Sequence, residues 1–447
     1  MNLIRKLNIE FVSKKNLNLG NTFFLVGIFF LPSAIPIGAL LLLISIIISI
    51  TKNYSELLKN KFNISFLICS TIIIVGTFYN TFLNPSGEFL TSQKSVIWLN
   101  LFNWIPIYFT FLGFQIYLKN EHQRLLFQKF LIAGTIPVLA SCIMHRFLNI
   151  YGPLETLYGT IVWFNYASLL YPLGVGKSGF LAGGVSGLFN NPNYLGMWLS
   201  LCLPFSLSLL RIEKINLYKI ILSVINFLII TFIVLANSRN AFLGLLICFL
   251  LFFGIRRFIY FSFFIGFGIF IFNIFIPNFL NLDQSYLFYK FSNFSFDYNS
   301  PRIIIWSKAI FLISQKPWLG WGSGSLPFVN MFIPPFINYQ HNHNMIFELA
   351  YNFGIPLSIL VFSTVINIVK SAYLKINRLN KSFLKNSTYK SFVIAVIIFL
   401  ISHLNDITYY DGKISILFSA LLACLIKIID EKNLLNEQNK INTIKIF

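Results

Sequence analysis

Apolar runs near the length needed to cross a bilayer, about 18–20 residues, recur along most of this chain. They lie near 22–50, 63–82, 96–118, 125–145, 192–210, 216–236, 240–254, 257–277, 344–368, 391–405 and 413–429. Charged residues make up 11% and hydrophobic ones 56%, against about 25% and 45–50% in ordinary globular proteins. A soluble chain of 447 residues could not cover its surface with so few charges. The expected fold is an all-α polytopic membrane protein of about 12 transmembrane helices, with 1–447 forming one integral membrane domain. Within it, 278–343 is expected as a long outer loop carrying short amphipathic helices, and 430–447 as a polar cytoplasmic tail.

The first run exceeds one ordinary helix, and Pro32 and Pro36 interrupt it. It reads either as a tight helical hairpin or as one long kinked helix. Its flank is basic, but the run is too long for a signal peptide's apolar region and has no convincing cleavage site. Charge favours the hairpin: both termini then lie inside, and 25 of the 34 Lys and Arg fall on inner segments. The longer outer segments keep nine, among them Arg239 and Arg302. That asymmetry follows the positive-inside rule. A single helix would put the basic N-terminal tail outside.

The balance of 34 basic to 14 acidic residues gives +20, which in a soluble protein would suggest nucleic acid. Here the basic residues collect in short inner loops, where they hold topology and meet anionic lipid. No nucleic-acid partner is expected. The five cysteines sit in apolar runs and read as small core residues, with no disulfide framework and no metal cluster.

A long outer connection is unusual in a membrane protein and suggests a working element. Ser300-Pro301-Arg302 is expected to open a helix, with Ser as N-cap and Pro in the first turn. The apolar stretch from Ile303 to Leu312, with Trp306, would lie on or in the outer leaflet. Pro317 stops it, and Gly320-Trp321-Gly322-Ser323-Gly324 reads as a flexible turn. Arg302 in a first helical turn is opposed by the helix dipole. Such a placement suits anion binding, where N–H groups and a guanidinium converge on a phosphate, or snorkelling to lipid head groups. Arg239, alone in the short connection Asn237-Ser238-Arg239-Asn240, has the same two readings. Two outer arginines suit a ligand with two phosphates.

The loop ends in His341-Asn342-His343-Asn344. Histidines two apart do not share a helix face, so no metal site is expected. One His at the mouth of a span suits a general base, or it forms an interfacial hydrogen bond. Glu348 within the following run could orient that His, accept a sugar hydroxyl, or pair as a neutral acid with another helix. Asn191-Pro192-Asn193 suits a helix start. Asp406 and Asp411, flanking the last outer turn with His403, read as a solvated turn or as ligands of sugar hydroxyls, the turn being favoured.

Four motifs in this order resemble the O-antigen ligase and O-antigen polymerase superfamily of bacterial envelopes. They are Phe189-Asn190-Asn191-Pro192-Asn193-Tyr194-Leu195; Ser238-Arg239-Asn240-Ala241; Arg302 to Trp306 followed by Pro317-Trp318-Leu319-Gly320-Trp321-Gly322; and His341-Asn342-His343-Asn344 with Gly354. The ligase pattern has a His, a small polar residue, nine spacers and a Gly, which His343-Asn344 and Gly354 fit. Leu357 stands where ligases usually carry Gly, Thr or Tyr, so ligase and polymerase both remain open.

The resemblance implies a metal-independent membrane glycosyltransferase with no cofactor, in the bacterial inner membrane with its site facing the periplasm. The donor would be a glycan on undecaprenyl pyrophosphate, and the acceptor a sugar hydroxyl on lipid A-core or on a lipid-linked repeat unit. His343, Arg302 and Arg239 are the expected catalytic residues; Glu348, Asn344, Trp306 and Asn193 are expected to contact substrate. Two other classes fit a polytopic chain: a secondary transporter of a small anion such as bicarbonate, and a lipid-linked oligosaccharide flippase. Ionisable groups within the spans are too scarce to favour the transporter, and a flippase would not need the long outer loop.

Overall fold

The computed structural model describes residues 17–83, 94–148, 184–260, 301–333, 339–378 and 383–431. Among these residues the regular structure is helical throughout, with no strand. Eight helical segments are long and apolar enough to cross a membrane. Residues 261–277 of the eighth apolar run, the loop from 278 to Ser300, and most of the tail beyond 430 lie outside the described residues.

The first run is a hairpin. Helix α1 (Leu17–Phe30) turns at 31–34 into α2 (Ile35–Leu57). A Cβ on Gly27 would sit 2.7 Å from Leu42 Cγ, one on Gly20 3.1 Å from Ile48, and one on Gly38 2.8 Å from the Leu31 nitrogen. These pairs run in opposite directions along the two helices, so the glycines are what let the antiparallel backbones touch. There follow α3 (Lys61–Phe78), a broken span made of α4 (Lys94–Leu99) and α5 (Ile105–Phe114) with short 3₁₀ turns, and α6 (Glu121–Leu148).

The centre of the bundle is α7 (Pro192–Ile212), which packs against α6, α8 (Asn216–Leu235), α9 (Arg239–Phe253) and α14 (Phe383–Ser402). Of its span 83% is buried, against 28% for α2 and for α8, which therefore present apolar faces outward as lipid-facing helices do. Small residues bring α7 and α9 together: a Cβ on Gly196 would meet that of Ala241 at 2.4 Å. Ser200 Oγ donates to Gly196 O and Ala241 O, and Gly244 lies against Ser200. This contact seats the first turn of α9, and so Arg239, beside the first turn of α7.

Between 301 and 353 the chain builds a smaller core on one end of the bundle. It comprises α10 (Pro301–Gln315), α11 (Leu326–Phe332) and α12 (Met345–Phe353), before α13 (Ile355–Arg378) re-enters the bundle. Leu312 and Ile313 are buried with Ile97, Trp321, Leu326, Val329 and Tyr351, and Ile305 and Ala309 are buried too, while Ile304, Ile310 and Phe311 stay exposed. The glycine-rich turn is clamped, which corrects its reading as flexible. Trp321 N–H and Gly322 N–H donate to Tyr351 O and Asn352 O, and Ile355 N–H to Pro317 O. Trp321 Nε1 donates to Leu312 O, Trp104 Nε1 to Ser323 Oγ, and Asn80 Nδ2 to Leu319 O and Gly320 O. Gly354 (φ +92°) permits this docking, because a Cβ there would lie 2.1 Å from Trp318 O.

At the other end, Arg124 is a buried staple and not the solvated inner-loop cation that topology alone suggests. It donates to Leu118 O, Lys119 O, Tyr389 Oη and, at 2.8 Å, to the Glu431 carboxylate, tying α6 to α14 and to the end of α15 (Gly412–Ile429). All five cysteines are buried free thiols, as expected of small core residues.

Candidate active site

The turn before α12 is held in an unusual shape. His343 has φ +51°, a left-handed conformation that costs a side-chain-bearing residue about 1–2 kcal/mol unless its surroundings impose it. Glu348 imposes it from one turn into α12. Its Oε2 accepts from Asn342 N–H at 2.9 Å and Asn342 Nδ2 at 3.0 Å, and its Oε1 from Asn352 Nδ2 at 3.1 Å and Tyr410 Oη at 2.5 Å. Trp306 Nε1 donates to Asn342 O at 3.1 Å. Asn344 caps α12, accepting from Ile346 N–H and Phe347 N–H, and donates to Leu404 O; Met345 N–H donates to His403 O. Glu348, Asn344 and Trp306 therefore spend their polar atoms on the turn itself.

The clamped turn delivers His343 to a carboxylate. His343 Nδ1 lies 3.0 Å from Asp406 Oδ1, and the His343 side chain is 27% exposed against 10% for Asp406. Asp406 also accepts from its neighbour Ile407 N–H at 2.9 Å and, through Oδ2, from Asn193 Nδ2 at 3.2 Å. Asn193 is presented by the first turn of α7, where Asn191 is the N-cap and Pro192 the first helical residue. Burial pushes the Asp406 carboxyl up, yet the His343 hydrogen bond and charge, the Ile407 amide and the Arg302 guanidinium hold it below the usual carboxylate range. A carboxylate at Asp406 favours the proton on His343 Nδ1, and in the neutral ring Nε2 then carries the lone pair.

The pairing of Asp406 with His343 is what sequence reading missed. Asp406 is not in a solvated turn: the 403–411 segment is packed against α12 and α7, with Asp406, Ile407, Thr408 and Tyr409 all buried. A carboxylate between a His and an Asn gives no sequence signal, because its partners lie 63 and 213 positions away.

Arg302 stands in the first turn of α10 and Arg239 in the first turn of α9, where Ser238 is the N-cap. Burial lowers the proton affinity of Arg302, the charge of Arg239 lowers it further, and that of Asp406 opposes both. The two guanidinium groups and the carboxylate are thus within electrostatic reach of one another although α9, α10 and the 403–411 turn are far apart in sequence. Asn240 Nδ2 donates to Ser402 O, joining the start of α9 to the end of α14 beneath this cluster.

His341 lies beside His343 with ring centroids 4.4 Å apart, and burial together with the charge of His343 lowers its basicity. The left-handed residue turns the chain back, so the spacing argument that kept the two histidines apart does not hold. Among the described residues, His341, His343 and Asp406 are the one His/Cys/Asp/Glu group whose ligand atoms, all within 4.8 Å, could hold a metal ion. Such an ion would have to replace the His343–Asp406 hydrogen bond.

Fold and site together define a multi-pass membrane protein with a histidine–carboxylate pair and two arginines gathered at one end of its bundle. Residues 224–362 match the family model described as O-antigen ligase, a stretch holding Arg239, Arg302, Trp306, His343, Asn344 and Glu348. The match supports the resemblance of this part of the chain to the O-antigen ligase and polymerase superfamily. Asn193 and Asp406 fall outside the matched stretch. A search of the curated proteins gives no match.

Proposed function

We propose that this protein transfers a glycan from undecaprenyl pyrophosphate to an acceptor sugar hydroxyl on the periplasmic face of the inner membrane, without a metal. The observation that carries the reading is the 3.0 Å contact of His343 Nδ1 with the buried carboxylate of Asp406, within electrostatic reach of Arg302. His343 Nε2 takes the acceptor hydroxyl's proton as that oxygen bonds to the anomeric carbon, and Asp406 steadies the imidazolium. The bond from the anomeric carbon to the pyrophosphate oxygen breaks, and its electron pair leaves with the pyrophosphate. Arg302 and Arg239 meet the charge that grows there; fixed cations in a half-buried site do this without reorganising. Glu348, Asn344, Trp306 and Asn193 act as positioning residues, since their polar atoms hold the turn and Asp406.

Silver-stained lipopolysaccharide from a deletion strain, complemented with wild type or His343→Ala, tests this. Loss of every glycan band above lipid A-core would indicate a ligase, and retention of a single repeat unit a polymerase. Wild type should restore the pattern and His343→Ala should not. An unchanged pattern in the deletion strain would overturn the proposal.

A further inference from the structure

Three helices run from the candidate active site to a basic cavity at their far ends. Helix α7 carries Asn193 in its first turn beside Asp406 and ends past Arg211; α9 starts at Arg239 and ends at Phe253; α14 passes Ser387 and Lys390 before reaching Ser402. At 1.5 Å per residue the 21 residues of α7 span about 30 Å, the thickness of a bilayer's hydrocarbon core. The cavity measures about 520 Å³ and is lined by Arg211, Arg256, Arg257 and Lys390 with Ser387 and Phe252. Among the described residues no carboxylate lines it.

Two further observations say what such a cavity takes. Ser387 is only 4% exposed, yet its Oγ has no hydrogen-bond partner among the described residues, a buried hydroxyl left available to an acceptor. The rim is apolar: Phe253 and Ile255 also line it and are 38% and 62% exposed. A soluble anion would use the cations and leave the rim bare. A lipid with an anionic head group uses both, placing phosphate among the cations at the end of the spans and acyl chains along the helix surface.

We propose that this cavity binds the head group of an anionic phospholipid, with phosphate held by Arg256, Arg257 and Lys390, a hydrogen bond from Ser387, and acyl chains along Phe253 and Ile255. The site is independent of the transfer reaction.

Native mass spectrometry of the purified full chain in detergent tests this, with phosphatidylglycerol, diphosphatidylglycerol, phosphatidylcholine or inorganic pyrophosphate added in turn. The anionic lipids should be retained at least tenfold over phosphatidylcholine. A combined Arg256→Ala, Arg257→Ala and Lys390→Ala variant should lose that preference at least tenfold, while Lys370→Ala, at an exposed lysine outside the cavity, should keep it. Should the triple variant fail to fold, Ser387→Val, which removes the hydroxyl alone, should still weaken retention at least threefold. Unchanged retention in either folded variant would overturn the site. Displacement of the lipid by millimolar pyrophosphate would overturn the lipid assignment and make the cavity a soluble-anion site.

Discussion

His343 and Asp406 carry the most exposed claims. His343→Ala should reduce transfer about 10²–10⁴-fold, the range for losing a general base, while His341→Ala should lose much less. Asp406→Asn should cost a similar factor, because an amide can present its N–H to Nδ1 and leave the proton on Nε2, where the acceptor hydroxyl needs a base. Both are measured as single-turnover transfer at equal protein level; a larger defect at His341 than at His343 would mean that the roles are exchanged. The two arginines and the histidine were legible because they are odd where they stand: cations in first helical turns, a histidine at the mouth of a span. The pairing of Asp406 with His343 was not legible, since an Asp in a short polar turn is ordinary, and only the fold brings Asn193 and His343 to it. Glu348 was legible as a costly carboxylate. Its saturation by Asn342, Asn352 and Tyr410 could not be read from spacing.

At the level of elements, stability should follow the clamps. His403, next to the end of α14, donates from Nδ1 to Phe399 O, accepts from Thr408 Oγ1 at Nε2, and stacks on Phe399 at 3.8 Å. Burial lowers its pKa to about 4. The unfolded chain, with His near 6.5, therefore binds more protons than the folded one between these values, and stability is full above about pH 6.5 and lost as pH falls towards 4. The linked loss is roughly 3 kcal/mol, so the unfolding temperature in detergent should fall over that window and fall less in His403→Gln. Gly354→Ala should lower stability by more than about 2 kcal/mol, read as a lower unfolding temperature in detergent, because φ +92° and the close Trp318 carbonyl both exclude a Cβ. The spacing from His343 to Gly354, which looks like a catalytic signature in the sequence, thus has a packing cause at its glycine end. Arg124→Ala should cost about 1–3 kcal/mol by removing its bonds to Leu118 O, Lys119 O, Tyr389 Oη and Glu431, while Tyr389 Oη still donates to Glu431. Helix existence followed from the apolar runs; the hairpin at 31–34 followed from charge, and the glycines explain it. The clamped 317–324 turn did not follow, because glycine signals mobility and close approach equally.

For the whole molecule, the transfer reading requires the end bearing His343 to face out and the end bearing Arg124 and Lys390 to face in. Single cysteines at Gln340 and Asn377, both exposed, should separate cleanly: a membrane-impermeant maleimide on intact cells should modify position 340 and spare position 377. Chelation tests the metal question, because His341, His343 and Asp406 are arranged closely enough to hold an ion. Transfer should survive EDTA; complete loss restored by one divalent ion would make the three residues metal ligands. The most direct test of the central claim is transfer by the purified protein in liposomes, using undecaprenyl-pyrophosphate-linked glycan, comparing wild type with Arg302→Ala and Arg302→Lys at equal folded protein. Transfer by Arg302→Ala should fall by about 10²-fold or more, with poor rescue by Lys, which keeps the charge and lacks the planar fork. Near-normal transfer by Arg302→Ala would show that this arginine serves lipid head groups and not the leaving pyrophosphate, and would contradict the mechanism.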